Sequence, residues 1–204
     1  MFTIRPAVVE DNARLAYIVF NEPDFEAVAL IGDVRRARRY GYGKIALEKI
    51  PSSAVRHTVV AEQDGQVVGL LQYAVEKEYL PKVPVVWLLV KTVGPIGFLR
   101  RIPKLRALQR VNIAAPEGAL NIEALYIDPA FQGQKIGSLL LEWVNEEAVR
   151  RQVKKLSVST WMGYRSIGLY ERDGFEQIKT AQDAKYEAYY GVPGRVLLVK
   201  DVSA

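Results

Sequence analysis

The sequence contains no cysteine among its 204 residues. Disulfides, thiolate metal sites and a cysteine nucleophile are therefore excluded, and this composition fits a reducing compartment, for which we expect the cytoplasm. The chain has a single histidine, His57, which argues against a histidine-based zinc site or a catalytic triad. We expect no metal, and we expect His57 at a strand edge to be structural rather than catalytic.

Long apolar runs are also missing. The longest run, residues 83–93, is too short to cross a bilayer, and the N-terminus has an acidic pair and no long apolar core, so we expect no signal peptide. Half of the residues are hydrophobic, which is enough for one core, and we expect a single domain over residues 1–204. The net charge of +5 favours acidic partners, and a CoA-type cofactor or a nucleic acid would satisfy it equally well.

Two nucleotide-binding motifs are absent as well. The sequence contains no Walker-type phosphate loop. The first predicted strand ends in Arg5-Pro6 instead of the glycine-rich turn of a dinucleotide-binding fold. No nucleic-acid-binding module is recognisable beyond the basic charge, so we expect no nucleic-acid partner.

The most informative stretch runs from Leu120 to Val144. An apolar strand ends at Asp128-Pro129, and a short loop containing Gly133 leads into a helix. Apolar residues recur in that helix at helical spacing, at Ile136, Leu139, Leu140, Trp143 and Val144. A helix start offers unpaired N–H groups and the positive end of the helix dipole, and Gly133 and Gly137 have no side chains to keep an anion away. The pattern predicts a site for a phosphorylated cofactor.

The remaining patterns predict a mixed α/β sheet. Strands are predicted at residues 2–5, 57–62, 66–75, 122–127, 156–160, 176–180 and 195–202. Asp64-Gly65 predicts a type I′ hairpin. A helical region from Asp24 to Ile50 is predicted to be interrupted at Gly41 and Gly43, and a helix from Tyr164 to Glu171 is closed by Gly174. Residues 181–194 are predicted as a polar, tyrosine-rich connection.

Residues 79–118 are predicted to be an insertion between the third and fourth strands. Prolines divide the segment into an apolar piece, residues 85–90, and a basic amphipathic piece, residues 98–110. A basic amphipathic stretch is typical of a membrane-surface or partner contact, of a lid over a substrate pocket, or of a helix packed on its own domain. These alternatives stay open. The arginine cluster at residues 35–39 is interpreted as a solvated helix face.

Two motifs resemble those of the GNAT superfamily, the GCN5-related N-acetyltransferases. The first is the run from Ile127 to Gly137, and the second is the run from Leu169 to Phe175. The resemblance implies a mixed, mostly antiparallel sheet of six to seven strands with about four helices. It also implies a main chain that binds the pyrophosphate of acetyl-CoA. The implied cofactor-binding residues are Leu125, Tyr126, Ile127, Gln132, Gly133, Gln134, Lys135, Ile136 and Gly137.

Two departures from the family pattern are visible. Lys135 stands where the family usually has glycine, and Gly163 stands where an asparagine is common. A side chain at residue 135 must point away from the phosphate, and the lysine charge, unfavourable at a helix start, is best explained by a contact with a phosphate of the cofactor.

The resemblance also implies one catalytic residue and a class of acceptor, and the strand pattern suggests a second catalytic residue. Tyr170 matches the family's tyrosine that protonates the departing thiolate. Glu123 is our candidate base, because strand alternation gives it the same side-chain parity as Leu125 and Ile127, among apolar neighbours that would raise its pKa. A charge that faces solvent at a strand edge is the alternative for Glu123. The implied reaction is direct attack of a primary amine, on a small molecule or a protein, on acetyl-CoA.

A second hypothesis is a GNAT-fold protein that binds CoA without turnover and acts through its basic insertion on a membrane or a protein. Dimerisation through exposed strands or the apolar insertion stays open. The identity of the acceptor is not readable from the sequence.

Overall fold

The computed structural model describes residues 1–20, 25–47, 57–75 and 85–202. Its centre is one seven-stranded sheet with the spatial order β1-β2-β3-β4-β5-β7-β6. The strands are β1 (Thr3–Pro6), β2 (Thr58–Gln63), β3 (Gln66–Val75), β4 (Leu120–Ile127), β5 (Lys155–Trp161), β6 (Glu176–Gln182) and β7 (Gly194–Asp201). Neighbouring strands are antiparallel except β4 and β5, which are parallel. The predicted α/β fold with a mixed, mostly antiparallel sheet is confirmed.

Eight α-helices are present in the described part of the chain. They are α1 (Asn12–Phe20), α2 (Phe25–Ile31), α3 (Val34–Leu47), α4 (Val85–Val93), α5 (Pro95–Arg110), α6 (Ile136–Arg150), α7 (Ser166–Arg172) and α8 (Ala184–Tyr190). This exceeds the predicted number of about four, because the chain between β3 and β4 supplies α4 and α5, and two further regions hold one more helix each than predicted. Among the described residues, no helix is both long and apolar enough to span a membrane.

The break between α2 and α3 does not lie where the glycines predicted it. Gly41 and Gly43 lie inside α3, and the chain turns instead at Gly32, whose φ is +85°. Asp33 makes the new helix start, because its carboxylate accepts a hydrogen bond from the Arg36 N–H at 2.8 Å. A glycine inside a helix costs only about 1 kcal/mol, so the cap at Asp33 decides the boundary.

The connection predicted at residues 181–194 contains α8. Asp183 caps this helix by accepting from the Tyr186 N–H at 2.8 Å, and Gly191 ends it with a φ of +78°. Tyr186 and Tyr190 are buried. An Asp and a Gly at these two positions are ordinary helix start and stop signals that the sequence does carry.

The sheet has a core on each face. On one face α6 packs its apolar stripe on the central strands, in a cluster that includes Leu140, Val144, Leu120 and Leu156. On the opposite face Ile18 of α1 packs with Val60 and Leu70 of the sheet. A further cluster joins the helices α2, α3, α4, α5 and α8. Helices α4 and α5, which lie between β3 and β4 in the sequence, are part of that helix cluster. Arg101 donates to the carbonyl oxygens of Leu30 and Ile31, so it caps the end of α2.

Candidate functional site

Strands β4 and β5 separate partway along their length. They pair only from Leu120 to Ile122 on β4, opposite Leu156 to Val158 on β5. Asp128 donates its N–H to the carbonyl of Val68 on β3, so the alternation of an antiparallel pair turns the main-chain groups of Leu125 and Ile127 away from β3. Those groups therefore face the open gap beside β5, where an extended ligand can add as a strand.

The loop after β4 is held at its start by a pair of charges. Asp128 accepts a hydrogen bond from the Ala130 N–H at 3.0 Å and forms an ion pair with Arg14 at 2.5 Å. Arg14 also donates to the carbonyl of Val67 at 2.9 Å, which ties α1 and β3 to the loop. The chain therefore leaves β4 in a fixed direction and enters α6 seven residues after Pro129. Sequence reasoning did not identify Arg14, and its distance along the chain leaves no local signal.

A run of free main-chain donors lies between this loop and α6. In the part of the chain that the structure describes, no group accepts a hydrogen bond from the N–H groups of residues 133–137, while those of Ser138 and Leu139 donate to the carbonyl of Lys135. Gly133 has a φ of +82°, and a Cβ there would meet no other atom within 4 Å. Five successive N–H groups at a helix start form a cradle that suits a diphosphate.

Lys135 occupies a left-handed conformation, with φ +62° and ψ +14°, directly before the first turn of α6. Glycine adopts that conformation without cost, whereas a residue with a Cβ is strained there by roughly 1–2 kcal/mol. This gives a physical reason for the glycine that the family usually has at the position. The lysine side chain is exposed and forms no ion pair with any described residue.

Gly137 has a different role from the one predicted. It is buried, and a Cβ there would lie 3.0 Å from Leu169 Cδ2, so its lack of a side chain lets α6 and α7 approach closely. The missing side chain of Gly137 therefore makes room for Leu169, whereas the sequence pattern predicted that it makes room for an anion. Gly133 is the glycine with open space around it.

These elements line a groove of about 1130 Å³. One wall is the end of β4 with the start of α6, and the other is the segment from Gly163 to Arg172. Of the residues that the structure describes, three cations line it, Lys135, Arg165 and Arg172, and no acidic residue does. None of the three has an ion-pair partner in the described part of the chain. The groove is therefore positively charged and suited to a ligand with several phosphates.

Seven of the nine predicted cofactor residues line the groove. They are Leu125, Ile127, Gln132, Gly133, Lys135, Ile136 and Gly137. Tyr126 packs on the opposite face of β4 with Leu15 and Val19 of α1 and lines a smaller cavity of about 410 Å³. Gln134 is exposed and lines neither of these two spaces. Sequence reasoning missed Arg165 and Arg172, although two arginines seven residues apart on the segment that carries Tyr170 are a usable signal.

Tyr170 is buried against Phe175 under the groove wall and is not among the residues that line the groove. Burial raises the pKa of its phenol well above the ordinary value, and the neighbouring Tyr126 phenol adds to the increase. The hydroxyl is therefore protonated at every pH at which the protein would be assayed. Gly174 ends α7, with the Phe175 N–H donating to the Tyr170 carbonyl at 3.0 Å, and this turn fixes the tyrosine in place.

The parity predicted for Glu123 is wrong, because β4 has a β-bulge at this residue. Gln72 pairs with Ala124 and Tyr73 pairs with Ile122, which leaves Glu123 without an opposite residue. Ile122 on one side of the bulge and Leu125 on the other consequently contact the same core. Glu123 is exposed instead of lying among apolar neighbours, and it lines a separate cavity of about 400 Å³ with Ser159 and Arg195.

Residues 112–116 of the predicted insertion line this second cavity, and none of the described residues of the insertion lines the groove. His57 is buried and packs edge-on to Tyr73, with ring centroids 5.7 Å apart. Among the described residues, no cluster of side chains could hold a metal ion.

The chain was compared with protein families and with curated sequences. The model of the acetyltransferase (GNAT) family matches residues 50–175. No curated protein sequence matches the chain significantly.

Several solved structures share the fold at low sequence identity. PaiA N-acetyltransferase from Thermoplasma acidophilum in complex with coenzyme A has a TM-score of 0.61 and 15% identity over 98% of this chain and 99% of its own. The ribosomal-protein-S18-alanine N-acetyltransferase from Escherichia coli has a TM-score of 0.55 and 13% identity over 100% of this chain and 96% of its own. N-acetylglutamate synthase from Neisseria gonorrhoeae, complexed with coenzyme A and N-acetyl-glutamate, has a TM-score of 0.52 and 13% identity over 100% of this chain and 36% of its own.

Proposed function

The chain belongs to the GNAT family of acetyltransferases, and from that premise we propose that it transfers an acetyl group from acetyl-CoA to a primary amine. The observation that carries the proposal is the run of main-chain N–H groups at residues 133–137, from which no described group accepts a hydrogen bond, at the end of a positively charged groove. Two of the solved relatives contain coenzyme A, which supports the choice of ligand for this groove.

The residues present fit coenzyme A. The cradle from Gly133 to Gly137 would hold the diphosphate, and Lys135, Arg165 and Arg172 would neutralise its charge and that of the remaining phosphate. The main-chain groups of Leu125 and Ile127 would bind the pantetheine arm in the gap beside β5. Tyr126 is left out of this proposal, because it lies on the opposite face of β4, and Gln134 would contribute only its main-chain N–H.

Acetyl-CoA supplies a thioester, whose C–S bond is exchanged for a C–N bond to the amine. The chain's own contribution is position and proton transfer. Glu123 is proposed to take the proton from the amine, directly or through a water molecule, on the side of β4 where the second cavity opens. The Tyr170 hydroxyl is proposed to donate a proton to the departing sulfur, since its raised pKa keeps it protonated.

The acceptor is proposed to enter the second cavity, where Glu123 and Arg195 place charges of both signs. The solved relatives named above differ by their own names, which give an alanine of a ribosomal protein as the acetylated residue in one and N-acetylglutamate as the product in another, so no acceptor is transferred from them.

The test combines binding and turnover. The full chain is titrated calorimetrically with acetyl-CoA, and thiol release is then followed with a panel of polyamines, amino acids and peptides with free N-termini. Saturable binding with thiol release that depends on an amine supports the transferase. Binding with no release from any amine supports a CoA-binding protein without turnover. Absence of binding contradicts both.

A further inference from the structure

Helices α3, α4 and α5 have a one-sided charge. Together they contain eleven basic residues and no acidic one, in a chain whose total net charge is only +5. The rest of the chain is therefore net acidic, and the three helices form a strongly positive region. Such a region attracts an anionic surface within about one Debye length, roughly 8–10 Å at ordinary salt.

Some of these cations have partners inside the protein. Arg101 and Lys104 donate to carbonyl oxygens at the end of α2, and Arg110 pairs with Asp183 at 2.8 Å. These residues hold the insertion against its own domain. They are not available to an external ligand.

Other cations point outward and converge. Arg36 and Arg39 of α3 and Lys91 of α4 line a cavity of about 520 Å³ between the two helices, together with Leu88 and Thr92. All three basic side chains are exposed, and none forms an ion pair with a described residue. The cavity is separate from the groove beside α6 and from the cavity at Glu123. Its lining suits a phosphate group.

Large apolar side chains are exposed on the same helical hairpin. Val86 and Trp87 of α4 and Ile96 and Leu99 of α5 are each more than half exposed to solvent. The Lys91 ammonium lies 5.1 Å from the centre of the Trp87 ring, so the tryptophan stands next to the basic cavity. Exposed tryptophan beside lysine is an arrangement typical of residues that sit at a membrane–water interface.

We propose that α3, α4 and α5 dock the protein on an anionic membrane surface, with a lipid phosphate in the cavity between α3 and α4 and the apolar side chains in the interfacial layer. The exposed cations and the exposed apolar side chains together favour an anionic membrane over other partners. Charge alone would suit a nucleic acid, but a nucleic acid makes no use of four exposed apolar side chains. An apolar protein partner makes no use of the exposed cations Arg36, Arg39 and Lys91. The contact is peripheral, since none of the described helices can span a bilayer.

Vesicle co-sedimentation of the full chain tests the proposal. The vesicles are phosphatidylcholine with about 30% phosphatidylglycerol, an anionic lipid. We expect the protein to bind these vesicles and to bind vesicles of phosphatidylcholine alone only weakly. The double variant Arg36→Gln with Arg39→Gln should bind about 30-fold more weakly, because each cation near an anionic surface contributes to the binding free energy. Trp87→Ser should weaken it by about tenfold through the lost apolar contact.

Matched variants control for charge and hydrophobicity. Lys154→Gln with Lys179→Gln removes two exposed cations elsewhere, and Ile178→Ser removes an exposed apolar side chain from β6. Both should bind vesicles like the unmodified chain. Circular dichroism confirms that each variant is folded.

Several results would overturn the proposal. One is absence of binding to the anionic vesicles, and another is binding that the control pair weakens as much as the Arg36 and Arg39 pair does. Full competition by inorganic phosphate would assign the cavity to a free anion. Binding to duplex DNA that equals vesicle binding and is unaffected by Trp87→Ser would assign the region to a nucleic acid.

Discussion

Gly137 and Leu169 meet across the floor of the groove, where a Cβ on the glycine would lie 3.0 Å from Leu169 Cδ2. Gly137 lies in the first turn of α6, and Leu169 lies in α7 next to Tyr170. The two segments that resemble family motifs are thus in direct contact. The contact sets the distance between the cradle of N–H groups and the segment that carries Arg165 and Arg172.

Gly137→Val tests this contact. The larger side chain is expected to lower the free energy of unfolding by about 2 kcal/mol, because it must displace Leu169 in a packed interior. Chemical denaturation measures the change. Leu169→Ala removes the side chain that the new valine would displace, so the double variant has room for the added volume. The double variant should therefore lose less unfolding free energy than the sum of the losses in the two single variants. Strict additivity would show that the two residues do not share a contact.

Lys135 permits conformation and charge to be separated. Lys135→Gly should raise the free energy of unfolding by about 1 kcal/mol, because glycine adopts the left-handed conformation without strain. Lys135→Gln keeps the strain and removes the charge, so stability should stay the same while affinity for CoA falls about fivefold. Denaturation and calorimetry give the two values. Tighter CoA binding by both variants would argue against a phosphate contact for this lysine.

Asp11 makes stability depend on pH in the acidic range. The Arg5 guanidinium donates to both of its carboxylate oxygens, at 2.8 and 3.0 Å, and lowers the pKa of Asp11 against the opposing effect of burial, with the Val8 N–H adding to the decrease. A lowered pKa in the folded state stabilises the fold above the unfolded value of 3.8, and this contribution is lost as pH falls through the folded-state pKa.

Asp11→Asn should therefore cost about 2 kcal/mol of unfolding free energy at pH 7. The difference from the unmodified chain should shrink below pH 3.8 as the carboxylate becomes protonated. Denaturation at a series of pH values measures it. A difference that is constant down to the most acidic condition would mean that the lost interaction is not ionic.

Tyr170→Phe isolates the proposed proton donor. The hydroxyl is buried, so its loss should leave the acetyl-CoA affinity and the fold unchanged while kcat falls about 100-fold. Because burial raises the phenol pKa, ionisation of Tyr170 should not reduce the activity of the unmodified chain as pH rises to the ordinary value of 10.0. Steady-state kinetics across pH measures both. An unchanged kcat would assign protonation of the thiolate to solvent.

Local signals predicted the parts of the fold that depend on neighbouring residues. Asp64 and Gly65 both have positive φ, 50° and 78°, as the hairpin signal requires. The loop and helix after β4 form where the apolar spacing and Gly133 placed them. Gly174 ends α7 in the left-handed conformation, with φ +90°. In each case a few adjacent residues contain the whole physical cause.

The features that escaped prediction depend on tertiary contacts. The bulge at Glu123 is set by the pairing of β4 with β3, and one extra residue reverses the parity on which the side-chain prediction rested. The sequence left the contacts of the basic stretch open, and carbonyls some 70 residues away accept hydrogen bonds from Arg101 and Lys104. The separation of β4 from β5 likewise has no local sequence signal. The bulge in particular places Glu123 in the second cavity.

Calorimetric titration with CoA and with pantetheine, which lacks the diphosphate, tests the central claim most directly. If the N–H groups of residues 133–137 and the three groove cations hold the diphosphate, CoA should bind at least about 100-fold more tightly than pantetheine, a difference of two or more charge-assisted contacts. Equal affinity for the two ligands, or no heat with CoA, would contradict it.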